Sequence, residues 1–177
     1  MRKVLYFGSF NPVHYGHTGI ARYIASMPEA DAVVIVPSPH NPFKDLSILT
    51  DPHLRLEQVR GAFKGISPKI TVSDIEYHLQ EPLYTINTLH VLQSEDPESD
   101  LILLIGADNI GSIGKWYKGE EILKEFEIWV YPRGGYDGGG ICHDYNSRKD
   151  VKGVRYLSDA PLYDISSTEI RALAAAE

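Results

Sequence analysis

Two short stretches of the 177-residue chain combine residue types that could handle an anionic substrate. The first is GSFNPVHYGH, Gly8 to His17, which follows directly on the apolar run Val4 to Phe7. Gly8 allows a tight exit from a strand, Pro12 fixes the loop, and Gly16 lets backbone come close to a ligand just before a helix starts. The first turn of a helix carries free N–H groups and the positive end of the helix dipole, which together make an anion site. His17 would sit beside that anion and His14 would approach from the loop. The second stretch is DISSTEIR, Asp164 to Arg171. Ser166 and Glu169 match the S-x-x-E capping box, so its plainest reading is a well-capped terminal helix. Ser167, Thr168 and Arg171 add hydroxyls and a guanidinium to that same helix start, a second phosphate-binding arrangement.

A lone histidine is more often a satisfied or solvated side chain than a functional one. Two histidines bracketing a glycine at a strand-to-helix junction favour function, because anion binding needs that junction. A metal reading is weaker: an H-x2-H pair has no third or fourth ligand close by, and zinc needs them. No metal-ligating residue is therefore assigned. His40, His53, His78, His90 and His143 fall outside both stretches and read as structural or solvent-facing.

The elements that must hold these residues are legible as alternating runs. Apolar or β-branched runs at 4–7, 31–36, 69–75, 100–106 and 127–131 predict strands, with a short edge strand at 155–157. Helices are expected over 17–25, from the Asp51-Pro52 cap to about Gly65, over 85–93, just before the fifth strand, and over 166–176. GGYDGGG, 134–140, has no strand-to-helix junction to frame it and reads as a flexible surface loop. This pattern predicts one α/β domain spanning 1–177, doubly wound and Rossmann-like, with a mostly parallel sheet of five to six strands. Ligands of such sheets bind beyond the carboxyl ends of the strands where the strand order reverses, which directs attention to the loops after the first and fourth strands.

Composition narrows the functional classes. A formal net charge of −7 argues against nucleic-acid or anionic-membrane binding, which needs a basic face. The apolar runs are too short for a signal peptide or a membrane span. One cysteine, Cys142, permits no internal disulfide and suits a reducing compartment, so the cytoplasm is the expected location.

Taken together, HYGH (14–17) and ISSTEIR (165–171) resemble the H-x-G-H and I-S-S-T-x-x-R boxes of the nucleotidylyltransferase superfamily. Between them PHNPFK, LYTINTL, IGADNIGSIGKWY and YPR resemble, in order and spacing, the bacterial nicotinate-nucleotide adenylyltransferases. The resemblance spans nearly the whole chain. It implies transfer of AMP from ATP to the phosphate of nicotinate mononucleotide, giving the dinucleotide and pyrophosphate, with Mg2+ assisting. It further implies catalytic roles for His14, His17, Lys44 and Arg171. ATP would be bound by Gly8, Ser9, Phe10, His14, His17, Gly106, Asp108, Arg133, Ile165, Ser166, Ser167, Thr168 and Arg171. The mononucleotide would be bound by Lys44, Thr85, Trp116 and Tyr117, with Trp116 stacking on the ring. Each has a plainer reading: Asp108 as a helix cap, Trp116 as core, Lys44 and Arg133 as solvated charges.

Three departures stand out. Asn11 replaces the usual aspartate, its amide still able to shape a local turn. Leu83 replaces the usual small polar residue before Tyr84-Thr85, and the segment after ISSTEIR looks shortened, which leaves a homo-oligomer open. The rival readings are an adenylyltransferase of the same superfamily acting on the amide mononucleotide or on phosphopantetheine, and a non-catalytic nucleotide-binding sensor.

Overall fold

The structure is a computed structural model that describes residues 1–42 and 49–176. Six strands form one sheet: β1 (Arg2–Gly8), β2 (Ala32–Pro37), β3 (Ile70–Val72), β4 (Asp100–Gly106), β5 (Glu127–Tyr131) and β6 (Val154–Tyr156). They lie in the order β3-β2-β1-β4-β5-β6, and every pairing is parallel. Parallel neighbours need crossovers, and seven described helices supply or follow them: α1 (Tyr15–Ser26), α2 (Pro52–Phe63), α3 (Thr85–Glu95), α4 (Ala107–Ile110), α5 (Gly119–Glu125), α6 (Gly138–Asn146) and α7 (Ser167–Ala175). The doubly wound α/β class expected from the alternation is what the chain adopts.

The strands are apolar on both faces because both faces are covered. Val4 and Tyr6 of β1, Ile102 and Leu104 of β4 and Trp129 of β5 pack with α1 and α2. Leu5, Leu101, Leu103, Ile128 and Val130 point the other way, into the layer of α3, α4, α5 and α6. This two-sided burial is the physical reason the runs read as continuous rather than alternating. The cap expected at Asp51 is present, its carboxylate accepting from the Leu54 amide at 2.9 Å. Among the described residues no helix is long and apolar enough to cross a membrane.

Two segments differ from expectation. The third strand ends at Val72 rather than running to residue 75, because the chain turns into a 3₁₀ turn at Ile75–Tyr77. GGYDGGG is not a surface loop throughout: Gly138 to Gly140 form the first turn of α6, with the Asp137 side chain accepting from the Gly140 amide at 3.0 Å. Glycine is a poor helix former, but a Cβ at Gly138 would collide with the Tyr156 ring, so packing against β6 overrides propensity there.

Candidate active site

The strand order reverses between β1 and β4, whose successors run outward to opposite edges of the sheet. At that switch point two cavities open side by side, one of about 230 Å³ and one of about 480 Å³. Both are lined by Gly8 and Ser9 at the end of β1, and by Tyr6, Asn109 and Tyr131, so they meet over the first strand's exit. Ser9 is buried, 4% exposed, and its hydroxyl has no hydrogen-bond partner.

The smaller cavity gathers the two end boxes. His14 is the N-cap of α1: its Nδ1 accepts from the Gly16 amide at 3.1 Å, while His17 Nδ1 accepts from the His14 amide at 3.1 Å. The two rings stack with centroids 3.7 Å apart. The histidine pair thus reproduces a capping box with imidazoles in place of the usual hydroxyl and carboxyl. An Nδ1 that accepts from backbone carries no proton, so the neutral form of each ring holds its proton on Nε2, as a donor on the far side. Burial, helped by the nearby Arg133 charge, lowers the His14 pKa to about 4, which keeps that ring neutral at ordinary pH. The plain reading of these histidines as structural holds for Nδ1 of each ring, whose backbone hydrogen bond fixes the ring's orientation.

Glycines let the second box dock here. A Cβ at Gly16 would press on Ile165 and the His14 ring, and one at Gly19 would collide with the Tyr163 hydroxyl. The segment before α7 therefore lies flat on α1. Ser166 caps α7 by accepting from the Glu169 amide at 3.2 Å. Ser167 donates to Pro12 O at 2.8 Å, and Arg171 donates to Asn11 O and to Thr168 Oγ1. Ser166, Ser167 and Thr168 line the smaller cavity together with Gly8, Ser9, Phe10, His14, His17, Asp108 and Arg133. Arg133 lies 4.0 Å from the Asp108 carboxylate and donates to Ile165 O at 3.2 Å. Asp108 is not the cap of α4, whose N-cap is Gly106. Phe10 contributes backbone at a left-handed φ of 47°, while its ring is core, 4.8 Å from that of His17.

The larger cavity holds Thr85, Trp116 and Gly106. Thr85 opens α3, and Trp116 is half-buried against the α3–α6 layer. Leu83, buried, lines this cavity as well.

The structure does not bring every expected residue to the cavities. Tyr117 is 46% exposed and stacks on Tyr84 with centroids 4.3 Å apart, outside both cavities, because the 3₁₀ turn at Ile113–Lys115 spends its inward position on Trp116. Ile165 packs under Gly16, and Arg171 grips the 8–17 loop from behind; neither lines a cavity. Lys44 lies outside the described residues. Asn11 is buried at the turn after β1, and its Oδ1 accepts from the Thr50 amide at 3.3 Å and the Thr50 hydroxyl at 3.0 Å, tying the loop to the start of α2.

Two residues here escaped the sequence reading. Arg55 of α2 is fully buried and donates to four backbone carbonyls: Ser9 O at 2.7 Å, Ser38 O at 3.0 Å, Pro39 O at 2.7 Å and Thr50 O at 3.2 Å. It therefore fixes the loops after β1 and β2 at once. Holding the Ser9 carbonyl on the α2 side turns the N–H of the next peptide, that of Phe10, the opposite way. Glu76, 2% exposed, lines the larger cavity. An arginine at an expected core position of a helix was the one available signal for Arg55; Glu76 left none. Among the described residues there is no group of three or more His, Cys, Asp or Glu side chains that could hold a metal ion.

Comparison with known proteins agrees with this geometry. The cytidylyltransferase-like family model matches residues 5–173. A Bacteroides fragilis protein named "Probable nicotinate-nucleotide adenylyltransferase" is 39% identical over 94% of this chain and 79% of its own length. One of the same name from Christiangramia forsetii is 41% identical over 96% of this chain and 84% of its own. The solved structure of Plasmodium falciparum nicotinic acid mononucleotide adenylyltransferase complexed with NaAD superposes with a TM-score of 0.78, covering 97% of this chain and 82% of that one at 22% identity, which speaks for the fold.

Proposed function

The chain belongs to the cytidylyltransferase-like family, among its nicotinate-nucleotide adenylyltransferases, and we propose that its two cavities divide the substrates of that reaction, transfer of AMP from ATP to nicotinate mononucleotide with release of pyrophosphate. ATP takes the smaller cavity between the two end boxes, and the mononucleotide takes the larger one against Thr85 and Trp116. The observation that carries this reading is the unpartnered, buried Ser9 hydroxyl at the place the two cavities share. A dinucleotide is two nucleotides joined through phosphates, and the join falls where that hydroxyl waits for an acceptor.

The reaction needs no covalent enzyme intermediate. An oxygen of the mononucleotide phosphate attacks the α-phosphorus of ATP, a new P–O–P bond forms, and the bond to pyrophosphate breaks. Catalysis is then positioning and charge stabilisation. The Nε2–H groups of His14 and His17 donate to phosphate oxygens, Ser9 and the Phe10 N–H support the α-phosphate, and the N-terminus of α1 adds its dipole. Ser167 and Thr168 hold the distal phosphates, and Arg171, bound to Asn11 O and Thr168, positions them. Arg133 neutralises charge at the ATP side, with Asp108 bordering the adenosine, whereas Gly106, expected at the ATP, lines the larger cavity instead. Trp116 stacks on the pyridine ring beside Thr85. Lys44 is proposed to neutralise phosphate charge.

Nucleotide transfer from ATP generally uses a divalent metal, for which we propose Mg2+. The described residues suit an ion that arrives with ATP, held by phosphate oxygens and water rather than by a protein cage, and its chemistry is to neutralise charge developing on the leaving pyrophosphate. The buried, free Cys142 fits a cytoplasmic setting.

Incubating the protein with ATP, Mg2+ and, in separate arms, nicotinate mononucleotide, its amide or phosphopantetheine, then measuring pyrophosphate and identifying the product, tests the reading. Fastest release with nicotinate mononucleotide supports it; release with none of the three overturns it.

A further inference from the structure

Tyr84 and Tyr117 stack with ring centroids 4.3 Å apart and planes 25° from parallel. Each is the chain neighbour of a residue that lines the larger cavity: Tyr84 precedes Thr85 at the start of α3, and Tyr117 follows Trp116 after the 3₁₀ turn at Ile113–Lys115. The stack therefore joins, from outside the cavity, the two segments that supply Thr85 and Trp116 to it. Local preference explains neither tyrosine. Tyr84 is the N-cap of α3, a place that favours serine, threonine, aspartate or asparagine, and its side chain makes no capping bond. Tyr117 is a large aromatic left 46% exposed.

Both ends of the stack are tied to their cavity residue by backbone. The Trp116 amide donates to Ile113 O at 3.1 Å, and the Gly119 amide donates to Trp116 O at 2.9 Å. Gly119 has no room for a Cβ against Ile113 O, so this turn is closed on itself and moves as a unit. Lys118, at a left-handed φ of 53°, brings its ammonium to 5.8 Å from the Tyr117 ring, a cation–π contact that steadies the ring. At the other end Tyr84 O accepts from the amides of Asn87 at 3.0 Å and Thr88 at 3.3 Å, which makes Tyr84 part of the first turn of α3. Holding one ring against the other thus holds the Trp116 turn against the Thr85 end of α3.

We propose that the Tyr84–Tyr117 stack is a clamp on the larger cavity, which sets Thr85 and Trp116 in place for the planar ring of the mononucleotide before that ring arrives. Both tyrosines are positioning residues, and neither touches the ligand. This rests on the reading of that cavity as the mononucleotide site. A wall that is already set costs no ordering when the ligand binds, so the clamp acts on affinity for the mononucleotide and leaves ATP, in the smaller cavity, nearly unaffected. The worth of one aromatic pair corresponds to about three- to tenfold in an equilibrium constant.

The test applies two readouts to the wild-type protein, Tyr84→Leu, Tyr117→Leu, the double variant and Tyr117→Phe, each checked for an intact thermal transition. The first is acrylamide quenching of tryptophan fluorescence without ligand. The chain has two tryptophans, and Trp129 is fully buried, so the quenchable signal is that of Trp116. Tyr84→Leu, remote from Trp116 in the chain, is expected to raise quenching as Tyr117→Leu does. The second is calorimetric titration of nicotinate mononucleotide and of ATP. Each leucine variant is expected to bind the mononucleotide about three- to tenfold more weakly and ATP within about twofold of wild type. The double variant is expected to lose no more than the weaker single one, because either substitution removes the whole stack. Tyr117→Phe keeps the ring and is expected to restore mononucleotide affinity to within about twofold of wild type. Unchanged quenching in both leucine variants overturns the clamp. So do losses that add in the double variant, which would mean two separate contacts, and equal losses for mononucleotide and ATP, which would mean general loosening. Raised quenching with unchanged mononucleotide affinity would uphold the clamp and overturn the reading of the cavity it closes on.

Discussion

Replacing Arg55 by methionine isolates what one buried guanidinium does for two loops. The side chain is fully enclosed and serves four carbonyls, of which Ser9 O and Ser38 O are themselves buried. Methionine fills most of the volume but donates nothing, so at least two acceptors lose their partners out of reach of water, while Pro39 O and Thr50 O, part-buried, can turn to solvent. Each buried acceptor left unsatisfied costs about 1–3 kcal/mol, giving about 2–6 kcal/mol. Removing a buried cation offsets part of this: burial already lowers the Arg55 pKa, the mark of a charge held against a desolvation penalty. A net loss of about 2–4 kcal/mol is expected, a large part of the 5–15 kcal/mol typical of a domain. Urea unfolding followed by circular dichroism reads the loss as a shift in midpoint at constant slope. In conditions where the variant is still folded, freeing the Ser9 carbonyl should let the Phe10 N–H swing away from the shared cavity floor. Turnover should then fall more than the affinity for ATP does. A variant within about 0.5 kcal/mol of wild type and fully active would refute the account, since it would mean that none of the four carbonyls depended on the guanidinium.

Three further outcomes follow from the site. Burial and the Arg133 charge hold the His14 pKa at about 4 in the folded protein, below the ordinary imidazole value of 6.5, so between those values the unfolded chain binds more protons and stability falls as pH drops through the window. The shift bounds the loss at about 3 kcal/mol, about 1–2 after allowing for partial exposure, and the non-titrating cap in His14→Asn should abolish it; equal pH slopes in the two proteins would contradict this. Ser9→Ala should leave the urea midpoint unchanged or slightly higher, because it removes an unsatisfied hydroxyl, yet lower kcat by up to about 10²-fold. An unaffected kcat would remove Ser9 from the reaction. Trp116→Ala should raise KM for the mononucleotide at least tenfold with KM for ATP nearly kept, on the scale of a lost ring stack; equal losses for both substrates would make Trp116 a core residue only.

How much of this was legible in the sequence depends on whether a residue's role is local. The strands could be read because β1 and β4 are apolar on both faces, and the capping boxes because their partners lie within three residues: His14 with His17, Ser166 with Glu169. Gly138 to Gly140 were misread because their helical turn is held by Tyr156, eighteen residues beyond Gly138, and propensity says nothing of that neighbour. The resemblance places Tyr117 with Trp116 at the mononucleotide, whereas consecutive side chains leaving a 3₁₀ turn point in different directions, and the Tyr117 ring stacks on Tyr84.

Arg55 and Glu76 mark the deeper limit. Backbone carbonyls carry no side-chain identity, so the four oxygens that explain Arg55 belong to a serine, another serine, a proline and a threonine with nothing in common. A charged residue at a buried helix position is nonetheless an inconsistency between pattern and environment, and such inconsistencies concentrate where function or positioning compensates for them. Arg55 and Glu76 are the two charged residues buried among those described, and both touch the cavities: one through the loops that frame them, the other directly. In this fold the buried charges point to the substrate seam as surely as the boxes do.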